Sequence, residues 1–216
     1  MNRREFMKRS GLWAPAAVGL LWPRLAQAAS WRIGLNFRST SGYVTDGADE
    51  VYVLATDTTP TERKSANGNS VTFQWDSAPT AANRSNTVDV RLAGHHRTNN
   101  PDVRTLTVTL PYTGPYKVRI AAGDALVNYW VAVYLKDNGT TLITLSGSIG
   151  NNFFDADGTA LSTANWPGSN TLVDVNFAST VCQVVIGPGS ATWVNAIAHL
   201  YLEYAGGVRR QRRIAQ

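Results

Sequence analysis

Between Thr105 and Leu110 the chain alternates strictly, with Leu106, Val108 and Leu110 set against Thr105, Thr107 and Thr109. After a Pro-Tyr-Thr-Gly-Pro break, Tyr116, Val118 and Ile120 alternate with Lys117 and Arg119. Period-two alternation places one set of side chains on a core and the other in water. Two such runs around a five-residue Pro/Gly turn predict antiparallel strands joined by a short loop. A helix is excluded here, because β-branched residues dominate and no apolar position recurs at i, i+3, i+4.

The same pattern repeats along the chain. Strands are predicted at Trp31–Phe37, Val51–Leu54, Val71–Trp75, Val88–Leu92, Tyr129–Leu135, Thr141–Leu145, Thr171–Phe177, Val181–Ile186 and Ala196–Tyr204. Asn138-Gly139, between two alternating runs, is the strongest local hairpin signal. No amphipathic helix longer than a turn or two is found. About nine or ten strands at this spacing predict an all-β, antiparallel two-sheet β-sandwich of jelly-roll type.

The ends differ from this pattern. Residues 1–28 read as a cleavable export signal: a basic start with Arg3-Arg4, a short apolar stretch from Gly11 to Leu21, and Ala26-Gln27-Ala28 as a cleavage site. Arg-Arg-x-Phe-Met-Lys is similar to the twin-arginine export motif. The apolar stretch is roughly half the ~20 residues that span a bilayer. The expected location is therefore periplasmic or extracellular, with no transmembrane segment after cleavage. The domain is expected over residues 29–206, and residues 207–216 form a basic, disordered tail.

This division changes the meaning of the charge. Of the 20 Lys and Arg residues, five precede Ala29 and four lie in the last eight positions. Eleven basic residues then face 14 acidic ones between Ala29 and Val208, so the basic overall charge belongs to the ends. A nucleic-acid partner is not expected. The single cysteine, Cys182, permits no intrachain disulfide and reads as a small buried thiol.

Catalytic signatures are absent. His95 and His96 are adjacent and would point to opposite faces of a strand, and His199 reads as a structural histidine in the last strand. No metal-ligand spacing of His or Cys, no Gly-x-Ser-x-Gly elbow and no phosphate-cradling glycine loop occurs. Binding has better material. Asp155 and Asp157, before Gly158, place carboxylates at alternate positions as a calcium loop does, although the full calcium-loop pattern is missing. Trp75 and Trp130 fall inside strand patterns and read as core. Trp166 and Trp193 fall in loops, where an indole offers a flat apolar face for stacking on a sugar ring.

Several residues in order carry a resemblance. They are Asn36-Phe37, Val44-x-Asp46, Val71-Thr72-Phe73-Gln74-Trp75, Asp89-Val90-Arg91-Leu92, Leu110-Pro111-x-x-Gly114-x-Tyr116-x-Val118, Gly123-Asp124 and Ile197-Ala198-x-Leu200-x-Leu202. Together they resemble malectin-like, galactose-binding-like β-sandwich modules of bacterial secreted proteins. That resemblance implies a non-catalytic glycan-binding role. The expected site uses Trp166 and Trp193 as stacking faces, with Arg38, Asp46, Asp155 and Asp157 as polar contacts. The alternatives are a structural or adhesive surface module of virion type, marked by a large exposed apolar patch, and a small carbohydrate-active enzyme. The enzyme would need two converging carboxylates.

Overall fold

The computed structural model describes residues 31–40, 47–84, 89–99, 101–124, 130–148, 150, 152–166, 172–188 and 194–206. It is an all-β sandwich, as the alternation predicts. One sheet runs in the order β12 (Ala160–Leu161), β11 (Phe153–Phe154), β8 (Gly114–Gly123), β16 (His199–Tyr204), β1 (Arg32–Arg38), β2 (Glu50–Leu54). A seventh strand, β13 (Val173–Phe177), pairs with the first half of β8. The facing sheet runs β10 (Thr140–Ser148), β9 (Trp130–Asp137), β14 (Val181–Ile186), β7 (Arg104–Thr109), β4 (Ser70–Trp75), β3 (Thr61–Lys64). A third, small sheet joins β15 (Val194–Ile197), β6 (Gly94–Asn99) and β5 (Thr80–Asn83). The β1–β2 pair is parallel.

The inner faces of the two large sheets meet in one core. Ile33, Leu35, Phe37, Val118, Ile120, Leu200 and Leu202 come from the first sheet. Phe73, Trp75, Leu106, Val108, Val133, Leu135 and Val184 come from the second. Each contributes alternate positions of its strand, which is the pattern the sequence shows. Cys182 lies in this core, and burial pushes its thiol well above the ordinary value. Among the described residues no helix is long and apolar enough to cross a membrane.

The Asn138-Gly139 hairpin is present: Asp137 pairs with Thr140, and both turn residues have positive φ, 42° and 93°. That is the turn whose twist matches paired strands. The segment Arg104–Gly123 differs from the expectation of a paired unit. Its strands, β7 and β8, are joined by a short loop but lie in opposite sheets: β7 pairs with β4 and β14, and β8 with β16 and β13. The Pro111–Pro115 break carries the chain from one sheet to the other.

Two further differences have local causes. The strand predicted at Val88–Leu92 is, where described, a single 3-10 turn at Val90–Leu92. The Asp89 carboxylate accepts from Arg91 N at 2.8 Å and its carbonyl from Leu92 N at 3.0 Å. An aspartate offering these bonds competes with a strand ladder. The run Ala196–Tyr204 divides at Ala198, where the chain passes from the small sheet to the large one.

Candidate functional site

The outer face of the seven-stranded sheet carries the chemistry. Because Leu35 and Phe37 point into the core, Asn36 and Arg38 point out. The same alternation turns Glu50 (β2), Arg119 (β8), and His199, Tyr201 and Glu203 (β16) to that side. An outer face is ordinarily wet, yet Asn36, Arg38, Glu50 and His199 are all buried. A second, small apolar cluster of Leu92, Ala121, Phe153, Trp166 and Ala198 forms on this side, with Trp166 against His199, while Gly94 of β6 lies against Arg38.

Several of these polar groups bond to one another. Glu50 Oε2 accepts from Asn36 Nδ2 at 2.8 Å and lies 3.0 Å from His199 Nε2. Burial alone would raise the Glu50 carboxyl; His199, then Arg91 and Asn36, outweigh it and leave its pKa below the ordinary value. Asp89 grips Arg91 in two places, 3.0 Å to Nε and 2.6 Å to Nη2. Burial raises the Asp89 carboxyl as well, and the Arg91 contacts bring it down further than that. Arg84 forms a second fork on the buried Asp124, whose carboxylate lies 3.5 Å from His95 Nδ1.

Next to this layer an open cavity of about 220 Å³ is lined by Gly47, Ala48, Asp49, Glu50, Arg91, Arg119, Leu172, Tyr201 and Glu203. Asp49 is held by Arg32 at 2.7 Å, and Tyr201 donates its hydroxyl to Glu203 at 3.0 Å. The Arg119 guanidinium lies 5.9 Å from the centre of the Trp166 ring and 5.7 Å from that of Tyr201. The cavity therefore offers carboxylates, a phenol and guanidinium groups, with Glu50, Arg119, Tyr201 and Glu203 on strands. That combination hydrogen-bonds hydroxyl-rich or charged small molecules.

The predicted site residues are only partly gathered here. Trp166 is not an exposed stacking face. It is 4 % exposed, packed edge-on to His199 at 5.5 Å between ring centres, and supports Arg91 and Arg119 from below. Arg38 is also buried, with its carbonyl 2.8 Å from His96 Nε2, and lies outside the cavity. Asp155 and Asp157 form the turn between β11 and β12. Asp155 Oδ1 accepts from Ala156 N at 2.6 Å and Asp157 Oδ1 from Thr159 N at 2.9 Å. Among the described residues no three His, Cys, Asp or Glu side chains gather in a group that could hold a metal ion. Trp193 and Asp46 lie outside the described residues, as do the predicted export signal and the basic tail.

None of Glu50, Arg91, Arg119, Tyr201 and Glu203 was among the site residues expected from the sequence. Their signal was present but ambiguous: each is a polar residue at an alternating or turn position, which ordinarily means solvent.

No protein-family model matches the chain, and neither does any curated protein. Solved structures do resemble it at low identity. The ANXUR2 extracellular domain from Arabidopsis thaliana aligns with a TM-score of 0.42 at 11% identity, over 80% of this chain and 41% of that one. The CBM36-1 domain of a multidomain xylanase from the hindgut metagenome of Trinervitermes trinervoides gives a TM-score of 0.35 at 16% identity, over 63% of this chain and 98% of that one. The Podospora anserina GH26-CBM35 β-(1,4)-mannanase gives 0.32 at 15%, over 63% of this chain and 28% of that one. This chain thus spans less than half the length of the ANXUR2 domain, and these similarities assign it no ligand.

Proposed function

We propose that this chain is a non-catalytic carbohydrate-binding module of an exported protein, and that it binds its glycan in the cavity on the outer face of the seven-stranded sheet. The observation that carries the reading is the cavity itself: Glu50, Arg119, Tyr201 and Glu203 converge on one concave site, from strands held by the sandwich core. Sites on strands keep their geometry better than sites on loops. The glycan class comes from the sequence resemblance, and the place from the cavity.

Two features favour binding over hydrolysis or adhesion. A glycosidase needs a carboxylic acid whose pKa is raised so that it can protonate the leaving group. Glu50, the most deeply buried cavity carboxylate, is shifted the other way. An adhesive module would show a contiguous apolar patch. Among the described residues, the large exposed apolar side chains are Val103 and Tyr112.

A glycan array probed with the purified protein tests the reading. Ala48 stands exposed on the cavity rim, so Ala48→Trp should fill the cavity and abolish binding while leaving the melting temperature nearly unchanged. Wild-type protein that binds no glycan, or an Ala48→Trp variant that binds as well as wild type, refutes the assignment.

A further inference from the structure

One cation of the cavity, Arg119, has no hydrogen-bond acceptor for its buried Nε. Asp49 has Arg32, Glu50 has His199 and Asn36, Arg91 has Asp89, and Glu203 has the Tyr201 hydroxyl. Arg119 forms no hydrogen bond and no ion pair among the described residues, and its Nε is buried. Burial, then the neighbouring charge of Arg91, hold its pKa below the ordinary guanidinium value, against the opposite pull of Tyr201, Asp155 and Glu50. The buried Nε is a donor without an acceptor, which proteins ordinarily avoid, while the side chain as a whole is half-buried and lines the open cavity. Its place adds a second feature: the guanidinium lies 5.9 Å from the Trp166 ring centre and 5.7 Å from that of Tyr201, on the wall of the cavity.

We propose that the missing acceptor belongs to the ligand, and that the cavity takes an acidic sugar whose carboxylate docks on Arg119. This deepens, and rests on, the glycan-binding reading above. Guanidinium and carboxylate are complementary planar groups, and their bonds are stronger than those between neutral partners. The remaining lining suits the rest of a uronate ring. The carboxylates of Glu50 and Glu203 accept from ring hydroxyls. At about 220 Å³ the cavity is smaller than the roughly 300–1,000 Å³ of drug-sized sites. It therefore fits a single uronate unit, at a chain end or a side branch, rather than a length of polymer.

Calorimetric titration of the full protein with uronate-bearing oligosaccharides and with the same oligosaccharides after carboxyl reduction tests this without any variant. The acidic form should bind about tenfold or more tightly than the reduced form, the ratio expected for charge-assisted hydrogen bonds. Added salt should narrow that difference. Arg119→Gln should erase the preference, and Arg119→Lys should keep part of it, with folding of both followed by circular dichroism. Equal binding of acidic and reduced forms by wild type overturns the proposal and leaves the glycan-binding reading in place. A preference that survives in Arg119→Gln overturns it too. Failure of every glycan, acidic or neutral, removes both.

Discussion

Glu50 and His199 stand 149 positions apart and meet at 3.0 Å, although a strand separates their backbones. Glu50 opens β2 and His199 opens β16, with β1 between them. The contact exists because the β1 residue beside Glu50 is Gly34. A Cβ at that position would overlap the Glu50 carboxylate, so the absent side chain is the passage through which the carboxylate crosses β1.

Gly34→Ala should therefore break the Glu50–His199 contact. The buried site has no slack, and inserting a methyl into packed structure ordinarily costs about 1–3 kcal/mol. Urea denaturation will read the change. A variant as stable as wild type would show that the Glu50 side chain has another place to go.

Stability should fall on the acid side in two steps. Burial first, and the charge of His95 second, push His96 down to about 3; burial likewise takes His95 to about 4. A histidine kept neutral in the fold binds its proton more readily once unfolded. Its contribution is complete above the unfolded value of about 6.5 and drains away as pH falls towards the folded value. Glu50 and Asp89, both lowered, add a second loss as pH drops below the ordinary carboxylate range. Melting temperature should thus decline from about pH 6.5 downward, with a shallower decline in His96→Gln. Identical melting at pH 7.5 and 4.5 would contradict the neutral histidines.

Trp166→Ala should cost about 3–5 kcal/mol, as large-to-small changes at buried aromatic positions do. An exposed loop tryptophan would cost less than about 0.5 kcal/mol. Denaturant melts separate the two, and Trp166→Phe should recover much of the loss. A small effect of Trp166→Ala would restore this residue to the list of surface contacts.

The Asp155/Asp157 turn gives a further test. Both carboxylates are engaged by backbone N–H groups, so melting curves with excess chelator and with excess calcium should coincide. A higher melting temperature in calcium, lost on Asp157→Asn, would instead assign the ion to this turn, because a ligand of the folded state raises stability by mass action.

What the sequence made legible was whatever depends on neighbours along the chain. Leu106, Val108 and Leu110 announce a strand with one buried face, and Asn138-Gly139 announces the turn that pairs β9 with β10. Sheet membership was not legible: nothing in Pro111–Pro115 says that β7 and β8 belong to different sheets. The polar strands β3, β5 and β6 were missed for a related reason, since they lack apolar alternation. The site was harder still. Alternation shows that Arg119 and Glu50 point outward from the core. Whether that outside is water or a second small core depends on Leu92, Phe153, Trp166 and Ala198, which only the folded chain brings together.

The central position of β1 and β16 has a temporal consequence. They are the first and last strands among the described residues, and they lie side by side in the middle of their sheet. Until β16 is present, β8 and β1 have no common neighbour, and the sheet is two fragments with an unfilled gap. Pairings this distant in sequence are slow to form, because a long loop must close before any contact rewards it. The sheet, and with it the cavity built on Glu50, Arg119 and Tyr201, can close only after the last strand has been synthesised.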